Sequence, residues 1–314
     1  MMDTSPMRRS ALINAVAIAA GRASPEIHHD DDDLMERVQA PTVEEALNQG
    51  KLILLAEDNL TNQLVIHKQL NALGYQCEIA NNGKEGFDMW KAKPYCMLLS
   101  DCHMPIWDGF QLTDAIRKDE KSTGKRAPIV AITANALHGE AERCLAAGMD
   151  DYMAKPVAMK VLKQTLVKWM GKGSTLGQTE VDSSLEVAVQ VEAPSQAKGD
   201  DDEDSTCPID ERMLKDMFGD DEDTFKEILQ SFIGPSEAII ADLMAAHGVL
   251  SATEIKAHAH KLKSSSRSIG SNRMADICAA LEAAGGQSNW GLIDEELPKL
   301  EPEYQKVKSY IDSL

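Results

Sequence analysis

A change of hydrophobic period along the chain is the feature that most constrains its fold. Between residues 51 and 170, short apolar runs alternate with stretches of helical period, beginning with KLILLA at 51–56. Continuous short runs are typical of strands buried on both faces, and strands alternating with helices predict a doubly wound parallel sheet. After Pro208 the pattern becomes wholly helical and predicts an antiparallel helical bundle. We therefore expect an α/β unit joined to an all-α unit.

The boundaries of the elements follow from the apolar pattern and from the glycines and prolines between the runs. Strands are expected at residues 51–56, 75–80, 95–100, 128–132 and 152–154. Helices of the first unit are expected at residues 62–73, 83–91, 110–118, 137–147 and 158–170. Helices of the second unit are expected at residues 210–218, 221–244, 251–269, 272–284 and 292–313.

Two tracts without large apolar clusters separate these units. The first contains the acidic run Asp30–Asp33, whose like charges repel one another and suit a solvated linker. The second is rich in Ser, Gly, Gln and acidic residues, a composition typical of a flexible tether. The predicted organisation is a helical segment at 1–22, a linker at 23–48, an α/β domain at 49–170, an acidic linker at 171–207 and a helical domain at 208–314.

Charge and cysteine content narrow the classes of partner. A net charge of −19 argues against direct binding to nucleic acid, which requires a basic surface. The six cysteines form no Cys-x-x-Cys pair, which favours reduced thiols in the cytoplasm. Arg8 and Arg9 precede an apolar run at 11–21 that has features of a secretory signal. That run is too short to span a bilayer, so we expect no membrane insertion by this chain.

Polar side chains follow four of the predicted strands. Glu57 and Asp58 come after the first strand, Asp101 after the third, Thr133 ends the fourth, and Lys155 follows the fifth. The carboxyl ends of parallel strands meet at one edge, so we expect these groups to form a single site. Close carboxylates repel, and an all-oxygen cluster favours Mg²⁺. Each residue alone also suits a solvated rim, but their joint order predicts a pocket in which Asp101 is a phosphoryl-accepting nucleophile.

Four motifs carry a resemblance to response-regulator receiver domains, most closely those of hybrid sensor kinases. They are AEDNLTNQ (56–63), LLSDCHMPIWDGF (98–110), ITANA (132–136) and GMDDYMAKP (148–156). The resemblance implies a flavodoxin-like fold in which Asp101 is the phosphoacceptor. It also implies that Glu57, Asp58, Asp101 and the main-chain carbonyl of His103 arrange Mg²⁺.

The same resemblance assigns roles to three further residues of this domain. Thr133 and Lys155 would bind the phosphoryl group, with a hydroxyl donor and a positive charge respectively. Tyr152 would be the aromatic residue that moves together with Thr133 when the domain switches.

One histidine of the helical domain stands apart from its core. The core stripe of the helix at 251–269 is formed by Ile255, Ala259, Leu262, Ser266 and Ile269. His260 lies off this stripe, on a face with Lys256, Lys263, Ser264 and Arg267. Cations nearby disfavour the imidazolium form and leave a neutral nitrogen that can attack phosphorus. An ordinary basic, solvent-exposed face is the alternative interpretation.

The string AHKLKSSSRSIG (259–270) resembles the signature of histidine phosphotransfer (HPt) domains. The resemblance implies that His260 is the phosphoacceptor and that Lys263 contacts the phosphoryl group. His258 does not match, because the residue ten positions on is Ser268 rather than glycine. One departure is Ser264, which stands where the family usually has glycine, so the distance of approach of a docking partner is open.

These features predict a phosphorelay protein. A sensor histidine kinase would donate a phosphoryl group to Asp101, which exchanges it with His260, and a separate response regulator would receive it. The sequence shows no ATP-binding kinase core, and residues 6–22 resemble the last helix of a degenerate receiver, as in the carboxyl-terminal part of a hybrid kinase. Alternatives are an interaction module or phosphate sink without onward transfer, and an aspartate-nucleophile phosphatase. The phosphatase requires a second aspartate at the position of His103.

Overall fold

The computed structural model describes residues 40–134, 138–170, 207–218 and 221–314. The predicted helical segment at 1–22 and the tether at 171–206 therefore lie outside the described residues. So do two residues of the ITANA motif, at positions 135 and 136.

The first described unit is a five-stranded sheet in which every pair of neighbouring strands is parallel. Its strands are β1 (Ile53–Ala56), β2 (Cys77–Ala80), β3 (Met97–Asp101), β4 (Ile129–Thr133) and β5 (Asp151–Ala154). Their order across the sheet is β2-β1-β3-β4-β5. The predicted doubly wound sheet is confirmed, because each strand returns to the sheet through a helix.

Helices cover both faces of this sheet. They are α1 (Val43–Asn48), α2 (Leu60–Ala72), α3 (Gly83–Ala92), α4 (Gly109–Thr123), α5 (His138–Ala146) and α6 (Met159–Met170). Ile53 and Leu55 of β1 pack with α2 and α6, whereas Leu54 packs on the other face with helices that include α4. Burial on both faces explains why β1 is a continuous apolar run.

Helix α1 lies in a segment that composition assigned to a linker. Thr42 and Glu45 form a reciprocal capping box, in which each side chain accepts from the other residue's backbone N–H. Ala46 is fully buried in the core of the α/β unit. The apolar side of this helix is too short to stand out in a polar segment, but the T-x-x-E cap is a local signal for its start.

The second described unit is wholly helical. Its helices are α7 (Glu211–Phe218), α8 (Glu222–Gly248), α9 (Ala252–Ser268), α10 (Asn272–Gln287) and α11 (Trp290–Ser313). Short connections join α8 to α11 in sequence, which makes successive helices antiparallel neighbours. A single apolar core runs through them and includes the buried Phe232, Leu262, Leu281 and Tyr304. The predicted helical bundle is confirmed.

Helix α8 meets the length and composition of a membrane span, and it does so alone among the helices of the described ranges. Its Ile228, Phe232 and Leu243 side chains are buried against the other helices of the bundle. Packing into this core accounts for its apolar composition.

Candidate functional site

The sheet brings the polar strand ends to one edge. In the register of the parallel strands, Ala56 lies beside Ser100, Asp101 beside Ile132, and Thr133 beside Ala154. The residues that follow these positions leave the sheet on the same side.

Three carboxylates and one ammonium form the centre of this edge. One carboxylate oxygen each from Glu57, Asp58 and Asp101 lies within 4.8 Å of the others. Lys155 Nζ donates to Glu57 Oε2 and to Asp101 Oδ2, at 2.6 Å in each case. All four side chains are nearly or fully buried. The residues predicted to form one acidic pocket are therefore in contact.

Burial and charge oppose one another in this cluster. Burial raises the pKa of Glu57 to about 7, against the lowering effect of the Lys155 ammonium. Burial alone lowers the pKa of Lys155, but the charges of Asp101 and Glu57 outweigh it and hold that pKa above its usual range. Lys155 is thus a fixed positive charge between two buried carboxyl groups.

Two main-chain features hold Asp101 in place. The backbone N–H of His103 donates to Asp101 Oδ1 at 3.1 Å. Gly109 begins α4 directly against β3, and a Cβ at this position would collide with the main-chain carbonyl of Asp101. Glycine is required there by the close approach of two backbones.

The remaining predicted residues of the α/β domain lie on β4 and β5. Thr133 is the last residue of β4 and is fully buried. Tyr152 is half-buried on β5 and packs against the apolar cluster that also contains Leu98 and Ile116.

His260 lies on α9 with about a quarter of its side chain exposed. Its Nδ1 is 2.8 Å from Glu282 Oε1, and Lys263 contacts the other oxygen of the same carboxylate. A carboxylate only accepts, so Nδ1 carries the proton in the neutral ring and Nε2 keeps a free lone pair. Only cations were expected around His260, and the Glu282 carboxylate between His260 and Lys263 corrects this expectation.

Glu282 was missed because it lies on α10, where only the packing of two helices brings it to His260. Burial disfavours its charged form, but hydrogen bonds and charges of His260 and Lys263 outweigh this and lower the pKa of Glu282 to about 2. Glu282 is therefore an anion at neutral pH. The i, i+3 spacing of His260 and Lys263 on one helix face was the available signal that they share a partner.

The two sites face each other across a contact between the domains. Lys261 Nζ on α9 lies 2.6 Å from Asp58 Oδ2. The ring of His103 meets the ring of His260 edge to face, with centroids 5.5 Å apart. The alternative interpretation of this face of α9 as solvent-exposed does not fit Ser264, which is 6% exposed and bonded to Asn62 of the α/β domain.

Family models match both domains. The model for the response regulator receiver domain matches residues 53–167, and the model for the Hpt domain matches residues 227–310. Sensor histidine kinase RcsC of Salmonella typhimurium is 42% identical over 119 residues, which cover 38% of this chain and 12% of RcsC. Hybrid signal transduction histidine kinase G of Dictyostelium discoideum is 44% identical over 119 residues, covering 37% of this chain and 3% of the kinase.

Two solved structures are also similar. The receiver domain of sensor histidine kinase PA1611 from Pseudomonas aeruginosa, solved with a magnesium ion coordinated in its active site cleft, is 43% identical. The match covers 39% of this chain and 98% of that chain, with a TM-score of 0.36. A chain in the complex of Saccharomyces cerevisiae Ypd1 with the receiver domain of Ssk1 is 29% identical. The match covers 38% of this chain and 87% of that chain, with a TM-score of 0.36.

The match spans about an eighth of the length of the RcsC relatives, at 12% to 13%. It covers 38% to 40% of this chain, and the α/β part and the helical part are each matched by a family model. The chain therefore contains a response regulator receiver domain followed by an Hpt domain, and its relatives include hybrid histidine kinases such as RcsC.

Proposed function

We propose that this chain is a phosphorelay intermediate. Asp101 takes a phosphoryl group from the histidine of a sensor kinase and exchanges it with His260. His260 then passes the group to an aspartate of a separate response regulator. A receiver domain and an Hpt domain on one chain support such a relay.

The contact between the two domains is the observation that carries this proposal. Lys261 follows His260 directly and pairs with Asp58 of the acidic cluster, while His103, two residues after Asp101, meets the His260 ring. Both contacts therefore involve His260 or residues close in sequence to the two proposed acceptors. Phosphoryl transfer depends mainly on holding the donor and acceptor atoms in line, which a docked pair of domains supplies.

Asp101 is the proposed nucleophile of the receiver domain. Its carboxylate oxygen forms a bond to phosphorus as the phosphorus–nitrogen bond of the donor histidine breaks. Lys155, already bound to Asp101, would move its positive charge to the incoming phosphoryl oxygens. We assign a hydroxyl donor role to Thr133 and the accompanying switch movement to Tyr152.

The donor set around Asp101 fits Mg²⁺. Three carboxylates converge, and the buried Asp58 Oδ2 is paired with the Lys261 ammonium but accepts no hydrogen bond from the described residues. We propose that Glu57, Asp58, Asp101 and the main-chain carbonyl of His103 hold the ion. Bound there, Mg²⁺ would neutralise charge that develops on the phosphoryl oxygens.

His260 is the proposed second acceptor. Its Nε2 attacks phosphorus as the bond between phosphorus and the Asp101 oxygen breaks. Glu282 holds the Nδ1 proton and so keeps Nε2 available, and Lys263 would contact the transferred group. Both steps conserve the phosphoryl group, so neither requires ATP.

The donor and the final acceptor are further proposals. We infer a cognate sensor histidine kinase, a downstream response regulator and a cytoplasmic setting for both transfers. Direct binding to nucleic acid and insertion into a membrane have no place in this scheme. The segment 171–207 is proposed to let the Hpt domain reach both receivers in turn.

Labelling with acetyl phosphate tests the relay. The full chain is incubated with labelled acetyl phosphate and Mg²⁺ as wild type, Asp101→Asn and His260→Gln. We expect acid-labile, alkali-stable phosphohistidine in the wild type and in neither variant, with aspartyl phosphate kept in His260→Gln.

Each alternative function gives a different result. Label that stays on Asp101 and never reaches His260 would indicate a phosphate sink or interaction module. Steady turnover of phosphate esters without a stable label would favour the phosphatase. Phosphohistidine that persists in Asp101→Asn would refute the proposed order of transfer.

A further inference from the structure

A polar contact surface joins α9 of the Hpt domain to the segment that follows β1. The three α9 residues in it, Lys261, Ser264 and Ser268, are spaced by three and four positions and so share one helix face. Their partners are Asp58, Asn59 and Asn62. We call these six residues the docking ladder.

Asn62 is the central residue of the docking ladder. Its Nδ2 donates to Ser264 Oγ at 2.9 Å, and its Oδ1 accepts from Ser268 Oγ at 2.8 Å. The same Nδ2 group donates to Glu57 Oε1 at 3.1 Å. Asn62, Ser264 and Ser268 are all buried, with exposures of 3%, 6% and 4%. The amide is thus satisfied on both of its sides, and two of its three partners lie on the other domain.

The first rung of the docking ladder combines charge with a main-chain contact. Asn59 Nδ2 donates to the carbonyl of Lys261 at 3.3 Å, and the Lys261 ammonium pairs with Asp58. Asn59 also caps α2, because its Oδ1 accepts from the N–H groups of Thr61 and Asn62. The cap therefore fixes where α2 begins and holds the receiver side of the ladder in register.

Apolar packing beside the docking ladder excludes water. Val65, one turn further along α2, is 3% exposed and belongs to the same buried cluster as the core of the Hpt domain. Hydrogen bonds next to such a contact discriminate strongly between partners, because an unmatched partner leaves buried donors and acceptors without hydrogen bonds.

We propose that the docking ladder is the specificity determinant by which the Hpt domain selects the receiver of its own chain. A receiver that offers an asparagine at the position of Asn62 binds both serine hydroxyls. A side chain without an amide leaves Ser264 Oγ without its donor and leaves Ser268 only its bond to the Ser264 carbonyl. Ser264, which stands where the family usually has glycine, supplies one of those hydroxyls. The receiver of the same chain is then the docking partner of the Hpt domain. The docking itself does not depend on the proposed relay, whereas the transfer that it serves does.

Matched serine substitutions test the docking ladder in the full chain. Ser264→Ala removes a hydroxyl that reaches Asn62, whereas Ser266→Ala removes a buried hydroxyl that donates to the Leu262 carbonyl of α9 itself. Hydrogen–deuterium exchange of α2 and α9 measures docking, and single-turnover transfer from Asp101 to His260 measures its use. Asn62→Ala and the double variant with Ser264→Ala complete a cycle.

Ser264→Ala is expected to speed exchange in α2 and to slow transfer, each by about tenfold, since a lost hydrogen bond leaves the Asn62 amide poorly satisfied. Ser266→Ala is expected to change neither the exchange rate nor the transfer rate. The fold-change in the double variant is expected to be smaller than the product of the fold-changes in the single variants. Equal effects of the two serine substitutions, or none from Ser264→Ala, would overturn the inference. If Asp101 is labelled but His260 never is, the proposed relay is refuted. The hydrogen–deuterium exchange rates of α2 and α9 then still show whether the docking ladder holds the two domains together.

Discussion

The substitution Glu282→Gln would remove the Glu282 carboxylate, which contacts both His260 and Lys263. Glu282 has its pKa lowered from 4.5 to about 2 by these two partners, against the effect of burial. Each tenfold change in proton affinity is worth about 1.4 kcal/mol, so the lowering corresponds to about 3 kcal/mol. One fifth of the side chain is exposed, and solvent screening reduces the expected contribution to about 2 kcal/mol.

The sign of the pH dependence follows from the direction of the shift. The folded chain binds a proton at Glu282 less readily than the unfolded chain, whose value is near 4.5. The contribution to the free energy of unfolding is therefore complete above about pH 5 and is lost as the pH falls towards 2. At pH 3 less than about half of it remains.

Urea unfolding of the full chain, followed by circular dichroism and fitted with a transition for each domain, measures this effect. At pH 7 the free energy of unfolding of the Hpt domain should be about 2 kcal/mol lower in Glu282→Gln than in the wild type. At pH 3 the difference should be less than about half as large. Asp276→Asn, at an exposed position on the same helix, is the control and should show no such difference.

A difference between Glu282→Gln and wild type that is equal at pH 7 and pH 3 would refute this reasoning. The loss would then come from packing, since packing does not titrate. A loss of transfer without any change in stability would also contradict it, because the same contacts hold the His260 ring and stabilise the helix pair.

Two further substitutions probe the receiver site. Lys155→Met should destabilise the receiver by about 3–5 kcal/mol in urea unfolding, because it leaves two buried carboxyl groups without their counter-charge; Mg²⁺ should restore part of this. No loss in the absence of Mg²⁺ would contradict the buried-charge argument. Gly109→Ala should lower the melting temperature of the receiver, since its Cβ meets the Asp101 carbonyl, whereas Gly139→Ala, with open space at Cβ, should not. Equal melting temperatures of the two alanine variants would contradict the close approach.

Most of the fold was predictable from the sequence because the strands and the longer helices are each marked by their own hydrophobic period. Apolar runs buried on both faces identify the strands of the receiver, and helical stripes identify the helices of the bundle. Helix α1 was missed, since its apolar side amounts to less than two turns within a polar segment. The Thr42–Glu45 capping box was the signal that would have located it.

The acidic cluster was predictable from the sequence, whereas the side chains around His260 were not, because the two sites are assembled in different ways. Strand ends of a parallel sheet meet at an edge fixed by topology, so sequence order alone places Glu57, Asp101 and Lys155 together. The contact of His260 with Glu282 depends on how α9 and α10 are rotated and shifted against each other. Sequence periodicity gives the buried face of each helix but not that register.

The residues that follow β1 link chemistry and recognition in the receiver. Glu57 and Asp58 belong to the acidic cluster, while Asn59 and Asn62 hold α9, and Asn62 donates to Glu57 as well as to Ser264. Any movement of this segment that changes the carboxylates must therefore also change the hydrogen bonds of the docking ladder. Substitutions on the receiver side consequently combine an effect on phosphorylation with an effect on docking. Substitutions at Ser264 or Ser268 leave every residue of the acidic cluster in place, which makes the α9 side the better place to separate the two.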